Sequence, residues 1–346
     1  MSGDVPMKID LSRVAIIARK EFADHLTDRT FLLVLALFGI LTFLAMERGL
    51  ASYTSALQWY EFLLERAGNV DTVSTSPLTT SSSFVLPSVL WIFLSVGDQL
   101  LLFGPVLAIA TGFDLISGER STRSLRMLLS RPVYRDEVIT GKAVGGTAVL
   151  VLASVVPYLL ALGAVLVAGL TITPYDAMIV ALCWGAGVLY LLAYFGVAVA
   201  FSAFSEDGDR ALAWAMAIFI LFSTIVPAVA EDTARSAAGP IPEWPPDDAP
   251  PDEIQRYLEE RSSYYATYNG VRNTILTLSP NGNYETLIQM LADLHHGGDT
   301  AGGAVAELPG LDEVLGRFWQ NIVGLIAFPT IFLAVAYVRF MRIDLR

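Results

Sequence analysis

This chain is poor in the side chains that do chemistry. Its one cysteine, Cys183, lies in an apolar stretch, which excludes a disulfide within the chain and marks the thiol as a packed small hydrophobe. Lys8, Lys20 and Lys142 are the lysines among 22 basic residues, and the net charge is -12. An acidic, lysine-poor composition suits a high-salt environment. The histidines are His25 and the adjacent pair His295 and His296, beside Met290. Neighbouring histidines without a third ligand make a poor metal site, so no metal ligands are assigned. There is no His-Glu-x-x-His pair and no Gly-x-Ser-x-Gly elbow. The nearest fragment to a phosphate-binding loop, Gly141-Lys142-Ala143, lacks both the magnesium-binding hydroxyl and the upstream glycine. The chain therefore does not itself hydrolyse ATP, and an intramembrane enzyme is disfavoured by the missing catalytic groups.

Charge is scarce as well: 16% of residues are charged against 54% hydrophobic, and the apolar residues come in blocks. That pattern defines an all-α integral membrane protein. Six spans are expected at 31–45, 100–116, 142–170, 178–204, 211–230 and 318–337. The first, short for a hydrocarbon core of about 30 Å, borrows neighbours at its ends. Residues 1–29 form an interfacial segment, with Val14, Ala18, Phe22 and Leu26 on one helical face and Arg13, Lys20 and Asp24 opposite. Within 142–170, Pro157 marks a kink, and Gly141 with Gly145 makes a small-x-x-x-small face for close helix packing. The acidic turn 205–210 reads as a solvated connection rather than a calcium loop.

Two polar stretches keep helical spacing outside the spans: an outer loop at 46–97 and an insertion at 231–317. Leu50, Tyr53, Leu57, Tyr60 and Leu64 form one seam, followed by a Ser/Thr-rich loop up to Ser83. Ile254, Tyr257, Arg261, Tyr264, Tyr268, Val271, Ile275 and Leu278 form another. The two seams are expected to pack on each other outside the membrane, or each against a second protomer. A short helix over 284–294 and a flexible loop over 297–303 complete the insertion.

Basic residues set the topology. They cluster in 1–29, in 120–142, at Arg210 and in the tail at Arg339, Arg342 and Arg346, whereas the outer segments hold mostly the arginines of the long insertion. The positive-inside bias therefore puts both termini in the cytoplasm, with the extracytoplasmic insertions opposite. In between, residues 117–135 form a short basic cytoplasmic helix with Leu125, Leu128 and Leu129 at i, i+3, i+4 spacing. Such a helix offers its leucines to a partner, or rests on anionic lipid through Arg120, Arg123, Arg126 and Arg131; both readings stand on these residues alone.

The same residues carry a resemblance. Asp114-x-x-x-Gly118-Glu119-Arg120, then Leu125-x-x-Leu128-Leu129-Ser130-x-Pro132-Val133-x-Arg135, then Gly141-Lys142 resembles the pattern of type-2 ABC transporter permeases. Ile17-Ala18-Arg19-Lys20-Glu21-Phe22 with Arg29, and Leu278-Ser279-Pro280, extend it more weakly. This chain has Ser121-Thr122-Arg123-Ser124 where the family usually has an acidic residue and Gly-Thr. The resemblance implies that 117–135 is a coupling helix docked on a separate cytoplasmic ATPase, which holds the ATP and magnesium. It implies coupling roles for Asp114, Gly118, Glu119, Arg120, Leu125, Leu128, Leu129, Pro132 and Lys142, with Gly118 and Pro132 as joints. It further implies a homodimer or pseudodimer in the cell membrane, in contact with lipid and not nucleic acid, that moves a substrate, by export, which the sequence leaves unidentified. One branch of that family handles copper in nitrous oxide reductase maturation; Met46, Met178, Met216 and Met290 are too scattered to pass a soft ion along. The reading from another class is an ATPase-independent membrane receptor, scaffold or channel.

Overall fold

A computed structural model describes residues 10–68, 89–121, 134–246, 249–296 and 311–342. Among these there is helix and no strand. The helices in chain order are α1 (Leu11–Thr27), α2 (Arg29–Gly68), α3 (Leu90–Gly112), α4 (Ser117–Ser121), α5 (Arg135–Val167) and α6 (Pro174–Phe204). They continue with α7 (Gly208–Ile220), a π-helical turn at Leu221–Ile225, α8 (Val226–Ala238), α9 (Pro251–Leu276), α10 (Pro280–His296) and α11 (Leu311–Met341). Six stretches are long and apolar enough to cross a membrane: 29–62, 90–121, 135–167, 174–204, 208–238 and 319–341. The multi-pass helical fold expected from the sequence is thus present.

Local chemistry accounts for several of the ends. Thr173 Oγ1 accepts from the Asp176 amide at 3.1 Å while Asp176 Oδ2 accepts from the Thr173 amide at 2.9 Å, so the first turn of α6 is satisfied reciprocally, with Pro174 opening it. Asp207 caps α7 by accepting from the Arg210 amide at 2.9 Å, which gives the acidic turn 205–210 a structural use. Asp10 caps α1 through the Ser12 amide, and hydrogen bonds from the Ser12 hydroxyl and amide hold its carboxyl below the ordinary carboxylate range.

Helix α6 is the hub, flanked by α3, α5, α7, α10 and α11. Its middle is buried all round: Tyr190, Leu191, Tyr194, Phe195, Val197 and Ala198 are closed to solvent. A helix so covered needs neighbours close to its backbone, and Gly196 admits α11 at Pro329 and Phe332. Gly185, by contrast, faces open space.

Helix α2 runs unbroken for 40 residues, about 60 Å and twice the hydrocarbon thickness, so the span expected at 31–45 continues as one helix into the seam from Leu50, as its helical spacing implies. Other elements depart from the sequence expectation. Helix α3 starts at Leu90 rather than near Leu100, its apolar run passing straight through Pro105. The fifth span continues through the π turn to Ala238, past the expected start of the insertion at 231. The two outer seams do not pack on each other: among the described residues α2 lies along α3, and α9 lies along α8. The tyrosines of α9 instead face one another and the linker, with Trp244 against Tyr257 and Tyr264 stacked on Tyr268. The Ser/Thr-rich run up to Ser83 and the loop 297–303 lie outside the described residues.

The second helix of the insertion is no appendage. Helix α10 starts at Pro280, inside the bundle, and packs on α3, α6 and α11. Tyr284 stacks on Tyr190 with ring centroids 4.6 Å apart, and the Tyr194 hydroxyl donates to Asn281. Asn283 donates to the carbonyls of Thr277 and Ser279 at 2.8 Å and accepts from Asn321 of α11 at 3.3 Å. So α9 and α10 form a hairpin whose polar tip, 277–283, is satisfied by its own turn and by tyrosine and asparagine from the spans. Gly282 makes that tip possible: a Cβ there would sit 2.3 Å from the Leu276 carbonyl oxygen. Gly282→Ala should therefore lower the melting temperature of the purified protein, at a cost of about 1–3 kcal/mol for overpacking. Gly270→Ala, on the open face of α9, should not, and equal melting of the two variants would contradict this account of the tip.

Candidate functional site

The C-terminal ends of α3 and α6 meet at a break in the helix. Gly112 lies against α6, where a Cβ would come 3.0 Å from Ala198 and 3.2 Å from the Phe195 carbonyl. Past it, residues 113–116 turn before α4 begins. Ser202 of α6 braces that turn by accepting from the amides of Ile116 and Ser117, each at 3.0 Å. Two amides freed at a helix end are thereby satisfied in a buried place.

Lys142 stands beside this break. It is 4% exposed, and its Nζ lies 2.9 Å from Glu21 Oε2 of α1 and 3.0 Å from Glu119 Oε1 of α4. One ammonium on α5 thus joins three helices. The approach of α1 depends on the two glycines flanking the lysine. A Cβ on Gly141 would meet Ile17 at 2.7 Å, and one on Gly145 would meet the Ala18 carbonyl at 2.8 Å. The small face expected to pack closely on a helix receives α1. A second tie holds the other end of α1: Glu137, 1% exposed, accepts from the Asp10 amide at 3.3 Å and the Tyr134 amide at 3.1 Å, with Arg13 at 3.7 Å. The polar face expected for α1 carries the Lys20–Asp24 pair at 3.1 Å in the open, while Arg13 turns to Glu137.

The joint borders a polar cavity of about 410 Å³, lined by His25, Asp28, Asp114, Glu119 and Lys142 among others. His25 Nε2 is 3.9 Å from Glu21 Oε1 and has no hydrogen-bond partner among the described residues. Burial pushes the imidazole below its ordinary value, and the carboxylates of Glu21 and Asp114 oppose that shift. His25 is therefore uncharged near neutrality, in a site whose charge balance is already negative. Given no role from the sequence, His25 belongs to the site.

Of the residues singled out by motif, Asp114, Gly118, Glu119 and Lys142 line this one cavity. Gly118 falls within α4 rather than at a joint; the break lies upstream at 113–116. Arg120 is on α4, partly buried, and is not part of the lining. Leu125, Leu128, Leu129 and Pro132 lie outside the described residues. Sequence reasoning missed the site roles of Glu21, His25, Glu137 and Ser202. Glu21 could have been found, since it is three residues past Ala18 on the face that also carries Val14.

Six apolar spans, one of them a buried hub, with a charged joint fastening one end, define a multi-pass membrane protein. A family model described as ABC-2 family transporter protein matches residues 15–345, and the chain belongs to that family. It is also similar to a probable ABC transporter permease protein NosY of Pseudomonas aeruginosa, 28% identical over 209 residues. That alignment covers 60% of this chain and 64% of the relative. The four methionines considered for soft-ion transfer, Met46, Met178, Met216 and Met290, each pack against the apolar core here.

Two expectations follow from the joint. Lys142→Met would strand the buried Glu21 and the half-buried Glu119 and should cost about 3 kcal/mol, with much of it regained when Glu21→Gln and Glu119→Gln are added. Thermal melts of the single and triple variants in detergent compare them, and no recovery in the triple variant would argue against the pairing. For His25 the folded state favours the neutral ring, so its contribution is complete above the unfolded value near 6.5 and is lost as pH falls from there toward the depressed folded value. Between pH 8 and 5.5 the melting temperature of the native protein should thus drop more than that of His25→Gln.

Proposed function

We propose that this chain is the membrane-spanning subunit of an ABC transporter, driven by a separate cytoplasmic ATPase that docks on residues 117–135. The observation that carries the reading is Lys142, bound at once to α4 and α1. Residue 119 belongs to the segment that would dock, residue 21 to the helix leading into the first span, and residue 142 to the third span. Displacement of the docked segment would be transmitted to α5 and α1 through the ammonium, and to α3 and α6 through the turn braced by Ser202. Both joints sit at the end of the bundle where the basic residues gather, which supports cytoplasmic termini.

The subunit would act as a homodimer or pseudodimer in the cell membrane. The fifth span supports that arrangement: only Ala211, Ala215, Ala230 and Ala234 of α7 and α8 are buried, leaving Trp214, Ile220, Ile225 and Val229 outward. Export is the direction taken from the family resemblance, and the substrate is left open.

Leu128→Asp is the direct test, read with the partner ATPase co-expressed. The variant should keep its helical content while ATPase co-purification and permease-stimulated ATP hydrolysis fall by tenfold or more, on the order of the cost of burying an unpaired charge. Unchanged stimulation, or labelling of Ser121→Cys from outside the cell, would favour the ATPase-independent receptor or channel instead.

A further inference from the structure

Arginines also gather where α5, α6 and α11 end together. Arg135 opens α5, and its Nη1 donates to the Met341 carbonyl of α11 at 3.4 Å. Arg339, in the last turn of α11, holds its guanidinium carbon 5.1 Å from the centre of the Phe204 ring at the end of α6. Its Nε is buried with no hydrogen-bond partner among the described residues. A buried guanidinium N–H without an acceptor is costly, and an oxyanion is the acceptor that best matches it. Arg342 follows one turn later, exposed.

Just inside this basic rim is an apolar cleft of about 320 Å³ between the three helices. Ile139, Val199 and Ala336 line it, with Val144, Leu333 and Tyr337 among its walls. Ile139 and Ala336 are buried, whereas Val144 and Tyr337 are exposed, so the cleft opens sideways from the bundle. Arg135 is one helical turn before Ile139, about 6 Å along the axis, and Arg339 is less than a turn past Ala336. In a chain that spans a membrane this puts the cleft at the depth where acyl chains begin and the arginines at the depth of headgroups.

We propose that this cleft is a binding site for an anionic phospholipid, one acyl chain lying against Val144, Leu333 and Tyr337 and the phosphate resting on Arg339 and Arg135. The occupant must be apolar below and anionic above, and a bilayer lipid of net negative charge meets both demands without entering from solution. Assignment to the cytoplasmic leaflet rests on the orientation proposed above; the site itself does not, because the test uses lipid of one composition on both faces.

The purified chain is titrated with phosphatidylglycerol, phosphatidylcholine, dihexanoyl phosphatidylglycerol or inorganic phosphate, and bound lipid and melting temperature are read together. Phosphatidylglycerol should bind and raise the melting temperature, whereas inorganic phosphate and the short-chain lipid should not displace it. Arg135→Gln with Arg339→Gln should weaken binding about 25-fold, at roughly a factor of five per arginine near an anionic headgroup, and Arg135→Lys with Arg339→Lys should keep most of it. Ala143→Phe, at a partly exposed lining position, should block the long-chain lipid while leaving the arginines in place. Equal binding of phosphatidylcholine, protection by phosphate alone, or an Ala143→Phe variant that changes oligomeric state without losing lipid would overturn the proposal. The last of these would assign the cleft to a second copy of the chain.

Discussion

The arrangement depends on a single cation in a place where cations are expensive. Lys142 is closed to solvent at the end of an apolar helix, and a buried ammonium persists there only because two carboxylates reach it within 3.0 Å. Neither carboxylate belongs to its own helix: Glu21 comes from 121 residues earlier and Glu119 from the far side of the segment around 122–133. The pairing therefore fixes relations between helices, not the stability of any one of them. With two acids to one base the cluster remains negative, which by itself favours the imidazolium; burial outweighs that pull and holds His25 below its ordinary value.

The hub helix is held in two ways along its length. At its C-terminal end the contact is polar and local: Ser202 and the backbone near Phe195 receive the α3 break. Further out the contact is aromatic, with Tyr190 and Tyr194 against the tip of the α9–α10 hairpin. Stacked rings and a satisfied asparagine turn make a dry, rigid seam, and a serine brace on a short turn makes a joint.

Much of this was legible in the sequence, and what was not has physical causes. The apolar blocks found the six spans, because the bilayer imposes length and composition directly. The motif found Asp114, Gly118, Glu119 and Lys142, which meet around one cavity. The location of α10 was hidden because Asn281, Gly282 and Asn283 read as loop chemistry, and only pairing with Tyr194 and Asn321 makes them tolerable inside. The seams of α2 and α9 gave the right helices and the wrong neighbours: heptad-like spacing says that a face is buried, not against what. In α9 the neighbour is α8, which continues the fifth span beyond its apolar stretch, its part past 230 being too polar to have been read as span.

That fifth span is the least anchored of the six. It leaves the hub through the Asp207 cap, changes register at the π turn 221–225, and resumes at Val226 with Pro227 in its first turn. A π turn carries one residue more per hydrogen-bonded ring, so the face that α7 presents is rotated relative to that of α8. The buried residues are Ala211 and Ala215 on the first half, which packs on α6, and Ala230 and Ala234 on the second, which packs on α9. One rod thus serves two neighbours, the bundle through α7 and the hairpin through α8.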